Sequence, residues 1–117
     1  MKAKDNLIVR LSFDFSLDVI RYCELLEEKR KYALANQLIR SGTAIGANIR
    51  EAQNAESKAD FIHKFKIAAK EIDETEYWLE LCTYAASYPE PVDLMEKLTS
   101  IANIVNKIII TAKTKKI

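Results

Sequence analysis

PVDLMEKLTSIANIVNKIIITA, residues 91–112, places Leu94, Leu98, Ile101, Val105, Ile108 and Ala112 at steps of four, three, four, three and four. Those steps put six apolar side chains on one face of a 3.6-residue helix, whereas a strand would bury alternate residues. Pro91 suits an early helical position, where its missing N–H costs nothing. Immediately upstream, Ser87-Tyr-Pro-Glu-Pro91 is a chain breaker. A long amphipathic helix therefore ends the chain, and it cannot stay soluble without neighbours to cover its stripe.

Moving outward, residues 58–86 carry Phe61, Phe65, Ala68, Ile72, Leu79, Thr83 and Ala86 on one helical stripe. Ser57-Lys-Ala-Asp60 reads as an N-cap with an acidic residue three positions on, a variant of the capping box. A second helix is expected over 32–55, with Leu34, Leu38, Gly42, Ile45, Ile49 and Ala52 inward. Gly42 and Gly46 cost about 1 kcal/mol each inside a helix. Close approach of a neighbouring helix at Ser41-Gly42 and Gly46-Ala47 is the expected compensation. A phosphate loop does not fit them, because no strand precedes them and the loop lysine is missing. The first helix is expected over 14–30, with Phe15, Val19, Tyr22, Cys23 and Leu26 inward and Lys29, Arg30 and Lys31 at its C-terminal end. Residues 1–13 show no helical period and are expected to form an arm, with Leu7, Ile8, Val9 and Leu11 packing on the bundle or on a neighbour.

Three short connections between long helices make neighbours antiparallel, so the expected fold is all-α, an up-down-up-down four-helix bundle over 14–117. The composition agrees: 117 residues suit one domain, 49% are hydrophobic, and there are only two glycines and two prolines. The net charge of +1 excludes a surface that is basic throughout but allows a local patch. No run approaches the ~18 apolar residues of a membrane span. Leu7-Ile-Val is interrupted by Arg10, so it is no signal-peptide core. Cys23 and Cys82 stand alone on apolar faces, where a thiol serves as a small hydrophobe. The expected location is cytoplasmic.

Several helices carry more apolar surface than one core needs. Ile67, Trp78, Leu81 and Ala85 lie opposite the third helix's stripe, interrupted by Glu71 and Glu74. On the second helix Arg40, Ala44, Ala47 and Glu51 form an outward ridge of small residues between opposite charges. Ile104 and Ile110 fall off the fourth helix's main face. Several helices doing this together point to a subunit interface, and closed symmetry is the usual outcome.

Chemistry is harder to find. Glu76 is expected within about 40° of the third helix's stripe, where a carboxylate needs a partner such as Arg50 or Asn48. No second carboxylate or histidine joins it, so a polar clamp is expected rather than general acid–base work. A di-iron bundle needs Glu-x-x-His on two helices. The single histidine, His63, has no glutamate three residues before it. No catalytic residue, metal site or cofactor is therefore expected. Lys58, Lys64, Lys66 and Lys70 line the first half of the third helix, and Lys29, Arg30 and Lys31 cluster at one end. Either group suits phosphate contact, each lysine displacing condensed counterions; either also suits a plain solvated face.

The segments Ser41-GTAIGANIREAQNAESKAD-Phe61 and Glu71-IDETEYWLEL-Cys82 resemble the small four-helix-bundle proteins encoded in intervening sequences of bacterial 23S rRNA genes. The likeness begins at Phe13-Asp-Phe, is specific in the second and third helices, and is generic in the fourth. It implies a bundle that assembles into a homopentameric ring and has no established enzyme activity. A related group, the accessory variability proteins of diversity-generating retroelements, forms a similar pentamer that binds nucleic acid and a reverse transcriptase through a basic surface. By that analogy the lysines named above become expected contacts to rRNA or another nucleic acid. A protein–protein adaptor or scaffold is the alternative, favoured by the near-zero net charge.

Overall fold

The computed structural model describes residues 6–115. Four helices follow one another: α1 (Leu7–Glu28), α2 (Tyr32–Ala52), α3 (Lys58–Tyr84) and α4 (Val92–Thr114). They make an antiparallel up-down-up-down bundle, 52 Å along its longest axis. Each helix packs on the next, and α4 closes back on α1.

The inward residues keep steps of three and four on every helix, the spacing that holds a seam toward neighbouring helices. On α1 they are Ile8, Ser12, Phe15, Val19, Tyr22 and Leu26; on α3, Phe65, Ala68, Ile72, Thr75, Leu79 and Cys82. Leu38, Ile45 and Ile49 from α2 and Leu94, Leu98, Ile101 and Val105 from α4 complete the core. Cys23 and Cys82 are both buried and free, as small hydrophobes are.

Two sequence expectations need correction. The first helix starts at Leu7, not at residue 14, so residues 7–13 are helix rather than arm; residues 1–5 lie outside the described residues. Asn6 is the cap, its side-chain oxygen accepting from the N–H groups of Ile8 and Val9. Its amide also donates to Gln53 Oε1 at 2.9 Å, tying the start of α1 to the end of α2. The helical period over 7–13 was hidden because Ser12 occupies a core position. Its hydroxyl donates to the Val9 carbonyl at 3.2 Å, so it is buried without an unmet polar group.

The second correction concerns Glu76, which is exposed. The seam of α3 runs from Ile72 through Thr75 to Leu79 and Cys82, and Thr83 and Glu76 fall outside it. Thr75 holds the buried polar position instead, its hydroxyl donating to Ser41 Oγ at 2.9 Å between α3 and α2. The expected partners are occupied elsewhere: Asn48 donates to the Ala44 carbonyl, and Arg50 lies over the Phe13 ring.

The glycines do meet α1 closely. A Cβ at Gly46 would stand 3.2 Å from the Ser12 carbonyl oxygen, and one at Gly42 would stand 3.0 Å from both Val19 methyl groups. Helix ends differ from expectation by a few residues. α2 stops at Ala52, because Gln53, Asn54 and Ala55 donate to carbonyls only three residues back. α1 closes with Arg30 at φ 63° and the Lys31 N–H on the Leu26 carbonyl at 2.8 Å, a Schellman-type end in which glycine is usual. Ser57 caps α3 as expected, accepting from the Asp60 N–H at 3.0 Å.

Candidate nucleic-acid and self-association surfaces

The outward ridge of α2 is largely engaged by its own α3. Arg40 pairs with Glu74 and lies 3.8 Å from Glu71 Oε1, and the Trp78 indole donates to Glu74 Oε2 at 3.1 Å. Glu51 pairs with Lys64 at 2.8 Å, a bond that raises the lysine's pKa. Glu71 Oε1 is itself buried and receives no hydrogen bond among the described residues. The charged members of the expected interface, Arg40 and Glu51, therefore join α2 to α3 within one copy. Between them Ala44 is half-buried and Ala47 exposed. Ile67, Trp78 and Ala85 are half-buried, and Leu81 is 36% exposed, so the second stripe of α3 is only partly open.

The basic residues fall into two groups at opposite ends. Lys29, Arg30 and Lys31 sit at the α1–α2 turn, where Lys31 donates to Ser87 Oγ at 3.0 Å and lies 4.8 Å from the Tyr88 ring centroid. Lys58, Lys64, Lys66 and Lys70 start from the other end, with Lys58 donating to the Lys115 carbonyl. Lys66 and Lys70 are exposed and have no ion-pair partner among the described residues. They share the outermost stripe of α3 with Ala59 and His63 at steps of three and four.

Antiparallel topology sorts charge in a way the linear sequence hides. Residues 6–17, 43–70 and 104–115 form the half of the bundle holding the start of α1 and the end of α4. That half carries nine Lys and Arg against four Asp and Glu, a net +5. The opposite half, residues 18–42 and 71–103, carries six against twelve, a net −6. The bundle is thus a rod with one basic and one acidic end. Lys58, Lys64, Lys66 and Lys70 belong to the basic half, joined by Arg10, Arg50, Lys107, Lys113 and Lys115. Lys29, Arg30 and Lys31 are surrounded by the acidic half.

One surface was missed in the sequence. With α1 helical from Leu7, Phe13, Leu17 and Ile20 fall on one outward face, 50%, 40% and 39% exposed. Together with Thr43, Ala47 and Arg50 of α2 they line a largely apolar groove of about 330 Å³. A smaller, open pocket of about 290 Å³ lies between α1 and the start of α4, lined by Asp18, Tyr22, Glu90, Asp93 and Lys97 together with Pro91, Val92 and Leu94. Asp18 there is bound by Lys97 and Arg21, both at 2.5 Å. Burial would lift its carboxyl, but those two bonds outweigh it and hold the group below the ordinary aspartate range. Tyr22, buried nearby, donates to the Pro89 carbonyl at 2.5 Å. Desolvation raises its phenol far above the usual range. Among the described residues no three His, Cys, Asp or Glu side chains converge as a metal site, and no helix is long and apolar enough to cross a membrane.

No curated protein matches the chain. Among solved structures, a protein of unknown function from the S23 ribosomal protein family of Bacteroides thetaiotaomicron is 39% identical. The match covers 87% of this chain and 97% of that one, with a TM-score of 0.81. The model of the 23S rRNA-intervening sequence protein family matches residues 4–110. With nearly the full length matched and the same bundle in a structural relative, the chain belongs to the 23S rRNA-intervening sequence protein family.

Proposed function

We propose that this chain is a non-enzymatic, cytoplasmic binding protein that assembles with its own copies and contacts rRNA or another nucleic acid through the basic half of its bundle. The observation that carries the reading is the charge separation. A near-neutral chain folds so that a net +5 gathers at one end, with Lys66 and Lys70 exposed there. Phosphate groups would displace counterions from that end and be repelled by the other. This favours Lys58, Lys64, Lys66 and Lys70 over Lys29, Arg30 and Lys31 as contacts. Assembly would multiply a modest patch, because each added copy raises the effective concentration of lysines at one bound strand. The exposed apolar groove on α1 and α2 supports self-association, and the five-membered ring implied by the family resemblance is the copy number to test.

Titrating a 23S rRNA fragment with the protein at several salt concentrations tests the reading. Affinity should fall linearly on a log–log plot, with a slope set by the phosphates neutralised. No binding even at low salt would remove the nucleic-acid part. Partners recovered from cells and resistant to nuclease would then favour the adaptor reading.

A further inference from the structure

α1 presents two seams rather than one. The inner seam, Ile8 to Leu26, fills the core. The outer one reads Arg10, Phe13, Leu17, Ile20, Glu24 and Glu27 at steps of three, four, three, four and three. Its middle is apolar and 39–50% exposed. Its ends carry opposite charge: Arg10, with Arg50 of α2 beside Phe13, at one end, and Glu24 and Glu27 at the other. Arg10, Glu24 and Glu27 are exposed and have no ion-pair partner among the described residues.

We infer that this seam is a two-fold contact with a second copy of the chain, α1 against α1 in antiparallel orientation. The self-association proposed above is taken as given; what is added is the surface and its direction. A seam apolar in the middle and oppositely charged at its ends is complementary to itself only when one copy is turned end for end, the condition of an isologous interface. Antiparallel pairing centred between residues 18 and 19 sets Leu17 opposite the partner's Ile20, and Phe13 opposite the methylenes of the partner's Glu24. It also sets Arg10 opposite the partner's Glu27. Parallel pairing would oppose arginine to arginine and glutamate to glutamate, which disfavours it. Such a contact joins copies in pairs. It cannot by itself close a five-membered ring, so a ring would use other faces, and this seam would link rings or bundles two by two.

Charge exchange tests it, read as mass by sedimentation equilibrium of the full chain with helicity checked by circular dichroism. Arg10→Glu and Glu27→Arg should each raise the dissociation constant of the two-fold contact about tenfold or more. Arg10→Glu combined with Glu27→Arg should restore it. Within one chain these residues stand about 25 Å apart along α1, so rescue cannot arise inside one copy. Leu17→Glu should abolish the contact with helicity intact. If the single variants keep the parent's mass, or the double variant associates no better than the weaker single, the seam is not the interface, although self-association elsewhere would stand. A parent chain that is monomeric at millimolar concentration would overturn both.

Discussion

Gly42→Ala isolates what the close packing of α1 on α2 is worth. In a free helix the change gains about 1 kcal/mol, because alanine loses less backbone entropy than glycine. Here the new Cβ would stand 3.0 Å from both methyl groups of Val19, against the 3.5–4.0 Å or so of a relaxed carbon contact. Val19 is completely buried and β-branched, so its χ1 is held in the one rotamer a helix strongly prefers and yields little. Overpacking of this kind costs about 1–3 kcal/mol. The net expectation is a loss of about 1 kcal/mol, read from urea unfolding at constant m-value. Val19→Ala alone should cost about 2 kcal/mol through the space it leaves. The double variant should lose less than the sum of the two singles, by about 1 kcal/mol, because each change accommodates the other. A Gly42→Ala protein more stable than the parent by the full propensity gain would refute the claim that α1 restricts this position.

Further outcomes follow from particular contacts. Thr75→Val leaves the buried Ser41 hydroxyl without its donor and should cost about 1–3 kcal/mol, whereas Glu76→Gln on the exposed side should change stability by less than about 0.5 kcal/mol; equal effects would return Glu76 to the core. Asp18, with its pKa lowered in the fold, contributes stability above the unfolded aspartate pKa that is lost as pH falls through the folded value. Lys97→Met should therefore flatten the acid limb of a stability–pH curve, and an unchanged limb would contradict the pairing. Burial pushes the Cys23 thiol up to about 12 and also raises Cys82. Native protein should resist iodoacetamide at neutral pH and react only on unfolding; fast labelling of the native chain would show an exposed thiolate.

Much of the fold was legible in the sequence because α4 and the middle of α1 keep uninterrupted apolar steps, and because Ser57 caps α3 by side-chain chemistry alone. What escaped reading did so where a polar residue stands in the core. Ser12 hid nearly two turns of α1, residues 7–13, and with them the exposed line of Phe13, Leu17 and Ile20. Thr75 hid the true seam of α3 and let Glu76 pass for a buried carboxylate. A hydroxyl that bonds to a nearby carbonyl or to another hydroxyl can be buried at little cost, and periodicity counts it as polar. The sorting of charge into two ends does not show along the linear sequence, since it emerges only when the antiparallel turns bring alternate helix ends together.

The most direct test of the charge-sorted surface compares two pairs of charge reversals for binding of a 23S rRNA fragment at low salt. Lys66→Glu with Lys70→Glu removes exposed cations from the basic half, and Lys29→Glu with Lys31→Glu removes the same number from the acidic half. The first pair should weaken binding about tenfold or more and reduce the salt slope by about two, while the second leaves both nearly unchanged. Equal losses from the two pairs, or no dependence on either, would contradict the assignment of nucleic-acid contact to one end of the bundle.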